Sequence, residues 1–227
     1  MEDGKSHIPR QPEPEPMDLA DEARAYAVAD FSEVNAAFVE RLAELVGPLE
    51  RAIAIDLGTG PGDIPVRVVQ QYPAWRLVAA DLSEAMLGHA RRTIEEAALT
   101  EAIQVVLQDA KGAPFRSRAF DVVFANSILH HISDTQALWA EVRRLGRSGA
   151  WVLLRDLARP GSSAAAAAIV QQYAGHESML LREEFYRSLL SAYTPDEVRE
   201  QLREAGLETL HVAAVSDRHL DVFGRLV

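Results

Sequence analysis

Five short apolar runs alternate with segments of helical pattern between residues 52 and 154, and this alternation restricts the fold more than any other feature of the chain. The runs lie at residues 52–55, 77–80, 103–107, 120–125 and 151–154. Apolar runs this short are typical of buried strands, and strands separated by helices form a parallel sheet with helices on both faces. The alternation therefore predicts an α/β fold with right-handed crossovers between its strands.

The sequence on either side of this alternation predicts the rest of the domain. Residues 162–206 carry helical patterns without a strand, which places a helical insertion between strands five and six. Residues 207–215 and 220–227 predict two closing strands that form an antiparallel hairpin, which completes a seven-stranded sheet whose last strand is antiparallel. Residues 1–16 are rich in proline and glutamate and have no apolar period, so they predict a flexible acidic leader. The folded domain is expected over residues 17–227.

Three helix starts carry recognisable capping residues. Ser83 is expected to cap the helix after the second strand, and Ser32 to cap a helix near the amino terminus. Thr194 is followed by Pro195 and, three residues after the cap, by Glu197, which together form a strong helix-start signal.

Charge and composition exclude several classes of protein. The net charge is −11, from 23 basic and 34 acidic residues, and the basic residues are scattered, so no nucleic-acid partner is expected. The absence of cysteine excludes a disulfide scaffold, an iron–sulfur cluster and a cysteine nucleophile. No apolar run approaches the ~20 residues of a membrane span, and the start of the sequence does not resemble a signal peptide. We therefore expect a cytoplasmic protein.

The segment Asp56–Gly62 follows the first predicted strand, opens a helix, and contains three glycines. Such a turn lets a ligand approach the backbone, and in open α/β sheets it lies at the carboxyl edge, where ligands bind. A dinucleotide fingerprint would place its third glycine at position 63, which is Asp63 here. Asp56 would also repel a phosphate, whereas it would suit a ligand with a cationic amine. The turn therefore favours an amine-bearing ligand over a dinucleotide.

Acidic residues close three successive predicted strands, at Asp56, Asp81 and Asp109. Because the carboxyl ends of parallel strands meet at one edge of the sheet, these carboxylates are expected to line one site. A strand-end carboxylate can accept hydrogen bonds from both hydroxyls of a ribose.

The turn and the three acids together resemble class I S-adenosylmethionine-dependent methyltransferases. The resemblance covers about residues 50–157 and looks closest to the small-molecule branch related to quinone-biosynthesis methyltransferases. It implies a Rossmann-like fold, S-adenosylmethionine as cofactor, and methyl transfer to a small-molecule acceptor. It also implies that Asp56 meets the methionyl ammonium, Asp81 the ribose and Asp109 the adenine amino group. The cofactor-binding residues that it implies are Tyr26, Asp56, Gly58, Thr59, Gly60, Gly62, Asp81, Leu82, Met86, Asp109, Ala110, Asn126 and Ser127.

Three residues on the same edge are candidates for chemistry at the acceptor. Methyl transfer is an in-line displacement that needs alignment and a dry pocket, and it needs a base only if the acceptor must lose a proton. His130 and His131 follow the fourth strand and could supply that base, or could serve only the geometry of the turn. Asp156 follows the fifth strand and could orient an acceptor amine or hydroxyl, or could instead form a salt bridge to Arg155, Arg159 or the lid. The remaining histidines have no metal-ligand spacing, so no metal is expected.

The helical insertion is expected to cover the acceptor pocket as a lid. Phe185, Tyr186 and Tyr193 would supply apolar walls, and Met179 would fill gaps. The alternative is a helix pair that packs on the sheet or on another subunit.

Other functions stay open at this point. An enzyme of the same fold could use the cofactor for lyase or pericyclase chemistry, a binding protein could retain a vestigial pocket, and an NAD-dependent oxidoreductase is a further alternative by glycine pattern. The sequence does not identify the acceptor or the oligomeric state.

Overall fold

The computed structural model describes residues 8–13 and 31–227. Seven strands are present, β1 (Ile53–Leu57), β2 (Arg76–Asp81), β3 (Ile103–Leu107), β4 (Phe120–Asn126), β5 (Gly146–Leu157), β6 (Leu210–Ala214) and β7 (His219–Arg225). The described residues contain seven α-helices, α1 (Ser32–Val46), α2 (Asp63–Gln71), α3 (Glu84–Glu96), α4 (Thr135–Leu145), α5 (Ser163–Ala174), α6 (Met179–Ser191) and α7 (Pro195–Glu204). A 3-10 turn at Leu129–His131 follows β4.

The strands form one sheet in the order β3-β2-β1-β4-β5-β7-β6. Neighbours from β3 to β5 pair in parallel, and β7 runs antiparallel to both β5 and β6. This confirms the predicted Rossmann-like sheet with its antiparallel last strand. The strand order reverses between β1 and β4, and ligands bind at such a reversal at the carboxyl edge of open α/β sheets.

Both faces of the central strands are buried, as a sheet covered by helices requires. Along β4, Val123 and Ala125 pack into the core beneath α4 and α7, whereas Val122 and Phe124 pack into the core beneath α1, α2 and α3. This alternation follows from the two-residue period of a strand.

Local capping signals explain where several helices begin. The Ser83 hydroxyl accepts a hydrogen bond from the Met86 amide at the start of α3, and Thr194 and Glu197 form a reciprocal capping box at α7. Both predictions are confirmed. At α1 the prediction is one residue off, because Phe31 takes the cap position and Ser32 is already helical.

The structure differs from the sequence-based expectation in two elements. Strand β5 begins at Gly146 and not near residue 151, because its first residue pairs with Phe120 before the register shifts. Helix α7 packs into the main core through Val198 and Leu202, so it belongs to the sheet's helical layer. The helical insertion is therefore limited to α5 and α6.

The insertion has a small core of its own. Its buried members include Ala166, Ile169 and Val170 of α5 and Leu189 of α6, and Ile8 packs against them from the amino-terminal segment. Among the described residues, no helix is long and apolar enough to cross a membrane.

Candidate active site

A cleft of about 960 Å³ opens at the carboxyl edge of the sheet. Most of the predicted site residues line it, namely Gly58, Gly60, Asp81, Leu82, Met86, Asp109, Ala110, Asn126, Ser127, His130 and His131. The remaining predicted residues within the described ranges are buried behind this surface, namely Asp56, Thr59, Gly62 and Asp156. Tyr26 lies outside the described residues.

The glycine turn after β1 is fixed by its neighbours. The amides of Gly58 and Thr59 both donate to the Ala80 carbonyl of β2, at 2.8 and 2.9 Å. A Cβ atom at Gly58, where φ is +77°, would lie 1.9 Å from the Ile128 side chain. At Gly60, where φ is +54°, no atom lies within 4 Å of the Cβ position. The turn is thus closely packed at Gly58 and open at Gly60, which lines the cleft.

Asp56 lies under this turn and is 1% exposed. Burial raises the pKa of its carboxyl group to about 7, and the nearby Asp81 acts in the same direction, whereas the neighbouring Thr59 opposes the shift. Its Oδ2 atom is buried and makes no hydrogen bond within the described residues. A donor or cation that reached this oxygen would therefore satisfy a buried group that the protein itself leaves unsatisfied.

The other two strand-end acids already bind backbone amides. Asp81 accepts hydrogen bonds from the Gly60 amide at 2.8 Å and from the Ser83 amide at 2.9 Å, and so joins the end of β2 to the glycine turn. Asp109 accepts from the Lys111 amide at 2.8 Å and pairs with the Lys111 ammonium at 3.1 Å. A carboxylate can accept about four hydrogen bonds in all, so a ligand can share these two carboxylates with the protein groups already bound to them.

Beyond β4 the chain turns sharply at Ser127, whose φ is +59°. The Ser127 amide donates to the Arg155 carbonyl of β5 at 2.8 Å, which holds the turn against the sheet. A non-glycine residue in this conformation costs about 1–3 kcal/mol, and such residues cluster at functional sites. The turn brings Ser127 and Asn126 to the cleft wall.

Asp156 positions the first of the two histidines. Its carboxylate lies 2.6 Å from His130 Nδ1 and accepts hydrogen bonds from the Leu129 and Leu157 amides at 2.6 and 2.7 Å. Burial would raise the pKa of Asp156, but the adjacent His130 holds it below its usual value. Burial would likewise lower the pKa of His130, yet the Asp156 carboxylate raises it.

Neither predicted role of Asp156 agrees with this geometry. The carboxylate is 2% exposed and faces His130, so it does not reach an acceptor. The two arginines proposed as its partners bind elsewhere, Arg155 to Asp221 at 2.7 Å and Arg159 to Glu197 at 2.5 Å. Asp156 is therefore a positioning residue.

Residues 8–13 lie across the same end of the cleft, and we call this segment the N-terminal strap. Arg10 donates to the Ser191 carbonyl at 2.5 Å and to the His130 carbonyl at 2.7 Å. One Glu13 carboxylate oxygen lies 3.3 Å from His131 Nδ1 and 3.5 Å from His130 Nε2. Burial raises the pKa of Glu13. The structure thus differs from the expected flexible leader at residues 8–13, which are bound to α6 and the histidine turn.

The predicted lid residues separate into different environments. Phe185 and Tyr186 both pack against the insertion's own core, and Phe185 also lines the cleft. Tyr193 donates its hydroxyl to the Ile132 carbonyl at 2.7 Å and stacks under Arg10. Met179 is 79% exposed, so its predicted role as a filler of the pocket is wrong. Its position in the first turn of α6 leaves it outside the packed face.

Residues 54–149 match a family model described as a methyltransferase domain. This part of the chain is similar to that family. The resemblance found in the sequence is thereby confirmed, since the matched range includes the glycine turn and the acidic ends of the first three strands.

Individual relatives share the domain to different extents. A malonyl-[acyl-carrier protein] O-methyltransferase of Legionella pneumophila is 34% identical over 113 residues, which are 50% of this chain and 38% of that protein. A demethylmenaquinone methyltransferase of Thermotoga maritima is 27% identical over 180 residues, which are 74% of this chain and 76% of that protein. The chain therefore spans well under half the length of the first of these relatives.

Solved structures share the fold. The crystal structure of an S-adenosylmethionine-dependent methyltransferase from Aquifex aeolicus superposes with a TM-score of 0.68 at 17% sequence identity. The superposition covers 92% of this chain and 98% of that one. The methyltransferase fold thus extends over the described chain beyond residues 54–149.

Several cleft residues of this methyltransferase domain were not predicted from the sequence. Phe31, which precedes α1, and Val34 of α1 line the cleft. Arg218, in the turn after β6, and His219, the first residue of β7, also line it. Burial lowers the pKa of His219 to about 4, with Arg218 acting in the same direction, so the imidazole is neutral at physiological pH. No local sequence signal distinguishes these residues from ordinary core or turn residues.

Proposed function

We propose that the protein transfers a methyl group from S-adenosylmethionine to a small-molecule acceptor. The observation that carries this proposal is Asp56, a buried carboxylate with an unsatisfied oxygen under a glycine turn that is open to the cleft. A ligand with a cationic amine is the chemistry that this oxygen favours, and the cofactor carries such an amine next to its adenosyl group.

The neighbouring residues fit the rest of the cofactor. Asp81 would accept hydrogen bonds from the ribose hydroxyls in addition to those that it accepts from the Gly60 and Ser83 amides. Leu82 and Met86 offer apolar surface for the adenine on the same wall. Asp109 and the Ala110 amide would bind the edge of the adenine ring. The Asp109 carboxylate would then accept a hydrogen bond from the adenine while it keeps its ion pair with Lys111.

The amine end would bind behind the turn. Gly58, Thr59, Gly60 and Gly62 would pack against the methionyl part, with Asp56 as its charge partner, directly or through a water molecule. Asn126 and Ser127 would lie beside the methionyl end, where the strained turn after β4 fixes them. Tyr26 remains a proposed contact on the strength of the resemblance alone.

The cofactor supplies an activated methyl group, and the chain supplies alignment and a water-poor pocket. Phe185 of the insertion and Phe31 of α1 give the cleft apolar walls. His131 is the more exposed of the two imidazoles at the acceptor end, because His130 is 3% exposed and held by Asp156. If the acceptor must lose a proton, His131 is the side chain of the pair better placed to receive it.

The nature of the acceptor is proposed only as a class. The names of the two relatives refer to a quinone and to a carrier-bound malonyl group. We expect an uncharged or cationic small molecule and no nucleic acid, because the chain has a net charge of −11. A cytoplasmic location remains a prediction from the sequence.

The proposal is tested by calorimetry followed by product analysis. S-adenosylmethionine and S-adenosylhomocysteine should both bind at one site per chain, and NADH should not compete with them. The purified protein is then incubated with quinone and acyl-thioester acceptors and with cofactor labelled in its methyl group. Label in the acceptor together with release of S-adenosylhomocysteine supports methyl transfer. Conversion of the acceptor with unchanged cofactor would instead support lyase or pericyclase chemistry, and binding of NADH alone would refute the cofactor assignment.

A further inference from the structure

Three potential metal ligands meet at the acceptor end of the cleft, although they come from distant parts of the chain. The strap contributes Glu13, and the turn after β4 contributes His130 and His131. One ligand atom of each residue lies within 4.8 Å of the ligand atoms of the other two. We propose that these residues form a binding site for one divalent transition-metal ion, with zinc as the first choice.

The spacing of the atoms suits a metal ion better than direct hydrogen bonds. The Glu13 oxygen lies 3.3 Å from His131 Nδ1 and 3.5 Å from His130 Nε2. Charge-assisted hydrogen bonds between such groups are usually about 2.7–2.9 Å long. Ligand atoms at the corners of a tetrahedron around zinc are separated by about 3.3–3.5 Å, given bond lengths of about 2.0–2.15 Å. These two separations match edges of that tetrahedron, and the two imidazole nitrogens lie within 4.8 Å of each other.

His130 provides an internal comparison, because its two ring nitrogens behave differently. Its Nδ1 lies only 2.6 Å from Asp156, which is a normal charge-assisted contact. Its Nε2 faces Glu13 at the longer distance. In protein metal sites, a histidine usually binds the metal through one ring nitrogen and donates a hydrogen bond to a carboxylate through the other. His130 has this arrangement if its Nε2 binds the ion. Asp156 thus orients the imidazole toward the proposed site.

Neighbouring side chains also fix the position of the Glu13 carboxylate. The Ser188 hydroxyl donates a hydrogen bond to the same Glu13 oxygen at 3.1 Å, which restrains its orientation. Glu184 adds a further negative charge near Glu13, whereas Arg10 places a positive charge near His130. The Arg10 guanidinium is bound by the Ser191 and His130 carbonyls, which partly compensate its charge.

Two histidines and one carboxylate leave coordination positions open, as in catalytic zinc sites. Both histidines line the cleft, so an acceptor there can reach the ion. If the chain transfers a methyl group as proposed above, this geometry favours an acceptor with an ionisable hydroxyl or enol. The ion would lower the pKa of that group, so its proton passes to solvent, and His131 then acts as a ligand and not as the base. The oxygen lone pair then forms the new O–CH3 bond while the C–S bond breaks and leaves its electron pair on sulfur.

A bound ion would also link the N-terminal strap to the turn after β4, because Glu13 is the ligand from the strap and the two histidines belong to that turn. Metal binding should therefore protect the backbone near Arg10 and Gln11 from proteases. This readout does not depend on cofactor, acceptor or turnover.

The test uses the full chain after removal of metals with a chelator. Zinc chloride is titrated by calorimetry, and cobalt(II) is added to a second sample to record its visible absorption. We expect one equivalent per chain and a tetrahedral cobalt spectrum. Glu13→Gln and His131→Gln should each weaken binding at least tenfold. The matched control is Glu177→Gln, because Glu177 lies 3.4 Å from the exposed His176 and should leave the affinity unchanged.

Trypsin cleavage after Arg10, followed by mass spectrometry, gives the second measurement. Zinc should slow this cleavage in the wild-type chain and should have no effect in Glu13→Gln. The absence of saturable 1:1 binding, or equal zinc affinity in wild type and Glu13→Gln, would overturn the proposal. Zinc binding at these residues without any binding of S-adenosylmethionine would overturn the proposed function but leave the metal site standing.

Discussion

The buried carboxyl of Asp56 predicts that binding of the cofactor depends on pH. Burial raises its pKa from 3.8 to about 7. At about 1.36 kcal/mol per unit, ionising it in the ligand-free protein costs about 4 kcal/mol more than in the unfolded chain. Because the folded-state pKa is raised, the protonated form stabilises the fold. This contribution is complete at acidic pH and is lost as the pH rises through about 7.

A cationic ligand that requires ionised Asp56 should bind in proportion to the ionised fraction. That fraction rises from about 3% at about pH 5.5 to about half at about pH 7. The affinity for S-adenosylhomocysteine should therefore rise roughly 15-fold over this interval. The amino group of the ligand stays protonated there, since α-amino groups titrate at about pH 7.7–8.0. Any change in affinity thus comes from the protein.

Calorimetry with S-adenosylhomocysteine across this pH range is the direct assay. Two controls isolate the carboxylate. 5′-Methylthioadenosine carries the same nucleoside without the amine and should show a flat profile. Asp56→Asn keeps the shape of the side chain and should bind S-adenosylhomocysteine more weakly, also with a flat profile. A flat profile for the wild type, or an equal slope in Asp56→Asn, would refute the link between burial of this carboxyl and recognition of the amine.

Three further predictions follow from contacts at the cleft. Asp81→Ala should weaken S-adenosylmethionine and S-adenosylhomocysteine alike by about 2–3 kcal/mol, or roughly 30–150-fold by calorimetry, and unchanged affinity in a folded variant would count against the ribose assignment. Phe185→Ala and Tyr186→Ala should both lower Tm, because both side chains pack against the insertion's core. Phe185→Ala alone should also impair turnover or acceptor binding more than cofactor binding, since Phe185 lines the cleft; loss of cofactor affinity in both would place the insertion elsewhere. Removal of residues 1–13 should lower the free energy of unfolding by about 2–3 kcal/mol in urea titration, because the Arg10 and Glu13 contacts are lost, and unchanged stability would show that the strap does not bind in solution.

The parts of the fold that could be predicted from the sequence are those encoded by neighbouring residues. Strand β3 begins and ends where the apolar pattern places it, and Ser83 and Thr194 cap their helices. Each of these signals depends on contacts within about one helical turn or one strand. The glycine turn was recognisable for the same reason.

The parts that could not be predicted depend on contacts between distant residues. The start of β5 at Gly146 is decided by pairing with Phe120, and the local pattern there is polar. The approach of Glu13 to His131 joins residues that are far apart in the chain, so no spacing rule applies to it. The composition of the leader predicted flexibility because local composition does not register contacts with distant residues. Residues 8–13 are held by α6 and by the turn that carries His130 and His131.

The separate core of α5 and α6 affects both local unfolding of the protein and the evolution of its acceptor specificity. Ala166, Ile169 and Val170 pack mainly with residues of their own helical pair, so this pair can detach as one unit while the sheet stays intact. Amide hydrogen exchange should then be fast across the pair and slow in β1 and β4. Such a unit offers an entry route for a bulky acceptor. It also allows acceptor range to drift during evolution, because substitutions there need not disturb the loops that hold the cofactor.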